Sequence, residues 1–146
     1  MKAENVARAE TGDGVKAETG DRKPERQESQ RSDFRERTFQ FGIRCVRLVG
    51  TLPKSMAAQT IGRQLLRAGT SVGANYRAAI RGRSRADFIS RMGIVEEECD
   101  EALYWIDVLV ELELASRKRV EQLRSEANEI IAITVSSIKT ARGNSK

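Results

Sequence analysis

The chain contains no histidine, two cysteines and two prolines, and only 5% of its 146 residues are aromatic. The missing histidine removes a His general base, Ser–His and Cys–His nucleophile pairs, and any zinc site with imidazole ligands. Two cysteines cannot build a four-cysteine metal site. Cys45 and Cys99 also lack the close spacing of a redox or metal motif. The only prolines are Pro24 and Pro53, so everything beyond Pro53 is free of that helix breaker. No run approaches the roughly 18 apolar residues of a membrane span. The charged N-terminus has no apolar signal-peptide stretch. These absences predict a cytosolic protein with reduced thiols and no bound cofactor or metal. The length suits one domain.

What is present begins with polar sequence. Residues 1–33 carry only Val6 and Val15 as strongly apolar side chains beyond Met1. Arg8-Ala-Glu-Thr-Gly-Asp13 recurs as Lys16-Ala-Glu-Thr-Gly-Asp21. A segment with so little apolar area cannot offset its ordering entropy, so residues 1–33 are expected to be a disordered extension. From Phe34 the composition changes, and apolar residues recur with the helical alternation of threes and fours. Residues 34–142 are expected to form one all-α domain, and residues 143–146 a C-terminal tail.

Four helices are predicted. The first runs from about Asp33 to Thr51 on the stripe Phe34, Thr38, Phe41, Cys45, Leu48 and Leu52, and Gly50 and Pro53 end it. The second runs from about Ser55 to Arg81. One of its stripes is Ala58, Ile61, Leu65, Ala68, Val72, Asn75 and Ala79. Its neighbour holds Gly62, Gly69 and Gly73. Each glycine weakens a helix by about 1 kcal/mol relative to alanine, which makes sense if another helix packs very close on that side. The third starts at Ser84-Arg-Ala-Asp87, which has capping-box spacing, and carries the heptad Phe88, Met92, Val95, Cys99, Ala102, Ile106 and Leu109. The fourth starts after Ser116 and runs to about Ala141. Short connections between four helices predict an antiparallel up-down four-helix bundle whose first member is the shortest.

Charge is segregated along the chain. Residues 34–91 carry twelve basic residues against Glu36 and Asp87, a net +10. Residues 92–113 carry eight acidic residues and no basic one, a net −8. Two readings follow. The basic stretch is a footprint for nucleic acid, or the basic and acidic helices pair with one another within or between subunits. Under the first reading the phosphate contacts are Arg77, Arg81, Arg83 and Arg85, joined by Arg44, Arg47, Arg63 and Arg67. Asn75, Glu98 and Glu101 interrupt apolar stripes of helices 2 and 3. A buried amide opposite a buried carboxylate would fix their register, with Arg77 or Arg81 as an ionic partner. The alternative for the glutamates is a metal or proton-transfer site, but bundle di-metal sites use Glu-x-x-His pairs and this chain has no histidine. An enzyme would have to rely on a glutamate pair or a lone cysteine, so none is expected.

Ser71-Val-Gly-Ala-Asn-Tyr-Arg77, Gly82-Arg-Ser84, Asp87-Phe-Ile89, and Glu98 and Glu101 ahead of Tyr104-Trp105 together resemble the four helix bundle protein family. That family includes proteins encoded in intervening sequences of bacterial 23S ribosomal RNA genes. The chain is also similar to the accessory variability determinant proteins of diversity-generating retroelements. The resemblance spans roughly residues 34–142. It implies a small antiparallel bundle, assembly as a ring-like homopentamer, and a basic surface that contacts RNA or DNA. In the retroelement branch it implies a reverse transcriptase as partner. It carries over no catalytic residues.

Overall fold

A computed structural model describes residues 22–143. Within them lie four helices and no strand: α1 Arg22–Val49, α2 Met56–Ile80, α3 Arg85–Glu111 and α4 Arg117–Gly143. Each is roughly 40 Å long at 1.5 Å per residue. The connections are short, and neighbours run antiparallel in an up-down bundle.

The boundaries follow local chemistry. Ser55 caps α2 by accepting from the Ala58 N–H at 3.2 Å. Ser84 caps α3 by accepting from the Asp87 N–H at 3.0 Å, with Asp87 placed favourably in the positive first turn. α3 stops without a glycine or asparagine. Glu113 takes a left-handed conformation (φ 57°), and the Leu114 and Glu113 amides bond back to Leu109 and Val110 at 2.9 and 3.0 Å. That is a Schellman-type stop on a residue ill suited to it, so no sequence signal marks it.

α1 departs from expectation. It begins at Arg22, not near Asp33, and at 28 residues it is the longest helix, not the shortest. Residues 23–33 are exposed throughout, so burial does not hold them helical. Lys, Glu, Arg and Gln, all strong helix formers, extend a helix that the Phe34–Leu48 stripe has already nucleated. Pro24 falls in the first turn, where its missing N–H costs nothing. The expectation of disorder is therefore corrected for residues 22–33; residues 1–21 and 144–146 lie outside the described residues.

The predicted stripes form the core. Phe41, Cys45, Leu65, Val72, Met92, Val95, Cys99, Ile106, Leu109 and Ile130 are fully buried. Thr38 and Thr134 are also buried, and each satisfies its hydroxyl by donating to the carbonyl four residues earlier, Phe34 at 2.9 Å and Ile130 at 2.7 Å. The glycine stripe of α2 does meet a close neighbour, α1. A Cβ on Gly69 would lie 2.7 Å from the Cβ and Sγ of Cys45, and one on Gly73 would lie 3.2 Å from the backbone of Thr38 and Phe39. From α1, a Cβ on Gly42 would lie 3.2 Å from the carbonyl oxygen of Gly69. The two helices thus approach backbone to backbone.

α2 packs against α1 and α3, and α3 against α4, but α1 and α4 meet over a much smaller area. Arg37 bridges that seam to Glu126 at 2.8 Å and to Glu129.

Candidate nucleic-acid interface

Antiparallel order brings the start of α1, the α2–α3 corner and the end of α4 to one end of the bundle. Over residues 23–37, 76–91 and 132–143 that end carries twelve basic and five acidic residues, a net +7. The corner itself is tight. A Cβ on Gly82 would lie 2.9 Å from the Ala79 carbonyl oxygen and 2.9 Å from Asp87 Oδ2, so only glycine lets α2 turn directly into α3. This turn presents Arg77, Arg81, Arg83 and Arg85 within nine residues, all exposed. Among the described residues Arg81 and Arg83 form no ion pair. Arg77 stacks its guanidinium over the exposed ring of Phe39 at 5.6 Å. Asp87, the one acidic residue of the corner, is engaged by Arg91 at 3.2 Å.

The other four arginines do not join this cluster. Arg63 lies fourteen residues before Arg77 on α2, about 21 Å away along the axis. Arg44 and Arg47 sit on the far half of α1, and Arg44 lies two turns from Arg37 on the side facing α4. Arg67 is committed elsewhere. It binds Glu98 at 3.1 Å and Glu101, joining α2 to α3.

Those pairs correct the expected partners of Glu98 and Glu101, which are neither Arg77 nor Arg81. Neither glutamate bonds Asn75, since Arg67 and Trp105 take their carboxylates. Asn75 is half-buried, and its Nδ2 donates 2.8 Å back to the Ser71 carbonyl of its own helix. Intrahelical bonding satisfied the amide, which removed the need for a cross-helix acceptor. Arg67, backed by an N–H from Trp105 Nε1 at 3.2 Å, holds the Glu101 carboxyl below the usual range. Trp105 is thus half-buried against α3's own carboxylate, while the adjacent Tyr104 is exposed and meets its ring edge to face at 5.0 Å.

Burial pushes both thiols up to about 12; the neighbouring Cys45, Asp100 and Glu126 add to the effect at Cys99. Cys99 Sγ donates to the Ala127 carbonyl at 3.5 Å. No Cα of α1 comes within 8 Å of one of α3, too far for a Cys45–Cys99 disulfide without backbone movement. Among the described residues no cluster of three metal-ligating side chains occurs. None of the helices is long and apolar enough to cross a membrane.

Sequence reasoning missed a slot at the basic end. It lies between the first half of α1 and the last half of α4, with a volume of about 1000 Å³. Phe34, Tyr76, Phe88 and Met92 lie along it, and Arg31, Asp33, Arg37 and Arg85 border it. Its α1 wall is the segment expected to be disordered, so no slot could be foreseen.

An all-α, charge-polarised bundle with an arginine-rich corner is thus the class of protein defined by fold and site. A family model for the 23S rRNA-intervening sequence protein matches residues 30–136, and the chain belongs to that family. It is also similar to a solved structure from Bacteroides thetaiotaomicron, described as a protein of unknown function from the S23 ribosomal protein family. The two share 34% identity with a TM-score of 0.69, over 73% of this chain and 98% of that one. No curated protein matches the chain.

Proposed function

We propose that this chain acts by binding, not catalysis, and that its ligand is nucleic acid held at the basic end of the bundle. The observation that carries this reading is the corner where Arg77, Arg81, Arg83 and Arg85 stand exposed within nine residues, on an end with net charge +7. Arginine forks suit phosphate, and a corner of exposed arginines contacts a backbone without reading base pairs. Binding is therefore strongly salt-dependent and weakly sequence-specific. A filter-binding titration with RNA and DNA at low salt tests it. Arg81/Arg83/Arg85→Ala is expected to lower affinity and flatten the salt dependence by about three phosphate contacts. Equal affinity of this variant and the parent would remove the corner from the interface.

A second reading is favoured by the surface of the helices, and it adds assembly to binding. Phe39 and Val46 are exposed on the outside of α1, where Arg35, Arg44 and Arg47 outnumber the one acidic neighbour, Glu36. Ile94, Tyr104 and Leu112 are exposed on α3, where every charge after Arg91 is acidic. Two different apolar faces with opposite rims suit a head-to-tail contact between copies, which closes into a ring when the rotation allows. A homopentamer is the closed form that we propose. Such a ring is also a scaffold on which a partner protein, a reverse transcriptase among them, could seat.

A further inference from the structure

The arginine corner does not stand alone at its end of the bundle. Beside it runs the slot between α1 and α4, and the two kinds of surface differ in chemistry. The slot floor is apolar and aromatic: Phe34 and Tyr76 pack edge to face at 4.7 Å, Met92 lies beneath, and Phe88 is only half-buried. Its walls carry uncharged hydrogen-bonding side chains, Gln27 and Gln30 from α1 and Ser136, Ser137 and Thr140 from α4. Its border is mainly cationic, with Arg31 and Arg85 lining it beside the single carboxylate of Asp33, and with Arg81 and Arg83 on the adjoining turn.

We infer that the slot admits unpaired bases, so that the nucleic acid bound at this end is single-stranded. This inference rests on the nucleic-acid reading above and names its substrate class. An unpaired nucleotide offers three surfaces: a flat apolar face, an edge of uncharged donors and acceptors, and a phosphate. The slot offers a counterpart to each. A duplex turns its bases inward and presents phosphate alone, so it can use the arginines but not the floor or walls. An acidic amphipathic helix would match the floor and the border. It would, however, set its apolar stripe against two amides and three hydroxyls in the walls, leaving those groups without partners. The volume of about 1000 Å³ is at the upper end of ligand pockets, room for more than one base.

The test is fluorescence anisotropy of the full-length protein with a labelled 12-nucleotide single strand of mixed sequence. The comparison ligand is the same strand annealed to its complement, at one fixed low salt concentration. The single strand is expected to bind about tenfold tighter, one good base stack being worth roughly that factor. Ser136→Trp, at an exposed position, fills the slot without touching the core and is expected to bring the two affinities together. Phe88→Ala is expected to act in the same direction, and the helical circular dichroism of both variants verifies that they fold. Equal affinity for single strand and duplex, unmoved by Ser136→Trp, overturns the slot while leaving the arginine corner in place. Binding of neither ligand overturns the nucleic-acid reading itself. Displacement of the single strand from the slot variant and the parent alike by a glutamate-rich amphipathic peptide would also overturn the slot, since the strand would then be held outside it.

Discussion

The glycine contacts between α1 and α2 make a prediction whose sign reverses within one protein. Gly69 and Gly93 both lie inside long helices, and Gly→Ala gains the same intrinsic helix propensity at each, about 1 kcal/mol. Their surroundings differ. A Cβ at Gly93 meets nothing within 4 Å. A Cβ at Gly69 lands 2.7 Å from the Cβ and Sγ of Cys45, a separation at which something must move. Cys45 is fully buried and its Cβ is fixed to the α1 backbone, so the relief is a shift of α1 away from α2. Overpacking of this kind costs about 1–3 kcal/mol. Gly93→Ala should therefore stabilise by about 1 kcal/mol, and Gly69→Ala should be destabilising or at best neutral. Because the propensity gain is common to both, the difference between the variants isolates the packing cost, and about 2 kcal/mol is expected. Urea unfolding followed by circular dichroism at 222 nm measures it, with the slope checked for two-state behaviour. A difference below about 0.5 kcal/mol would refute the close approach of the two helices.

Glu101 gives a pH-dependent prediction. Its carboxyl titrates below the ordinary range because Arg67 and then Trp105 bond to the charged form. A depressed carboxylate stabilises the fold above its unfolded pKa, and that contribution is lost as pH falls through the folded value. The stability gap between wild type and Glu101→Gln should thus be level near neutral pH and close in acid; a gap that widens on acidification would contradict the pairing. For assembly, light scattering at micromolar concentration should give a multiple of the 16.3 kDa chain, fivefold for the pentamer. Phe39→Glu should reduce that mass, and a monomer mass for the wild type would refute assembly.

The helices were legible where burial set the pattern. Every one of Phe34, Thr38, Phe41, Cys45 and Leu48 is buried as the 3.6-residue period requires, and Ser55 and Ser84 cap as their spacing indicates. Gly62, Gly69 and Gly73 pointed to a close neighbour, and α1 is that neighbour. Pattern alone failed where burial does not decide. Residues 22–33 are helical through propensity and propagation, with no apolar stripe to betray them. Glu113 ends α3 through backbone geometry that glutamate disfavours.

The site was legible in part, for a related reason. Charge density located the arginine corner, because four arginines close in sequence across a tight turn must stay close in space. It could not sort Arg67 from Arg63, since four positions on one helix separate a residue paired with Glu98 and Glu101 from an exposed one. Nor could it find the slot, which requires α1 to continue past Asp33 toward Arg22. The missing turns of α1 bury nothing, but they carry Arg31, Gln30 and Gln27 past the end of α2. A bundle helix that outruns its own core in this way adds no packing stability, and its extra turns add a wall instead. Residues 22–33 are therefore better judged by what they border than by what they bury. Their removal should cost ligand affinity far more than folding free energy.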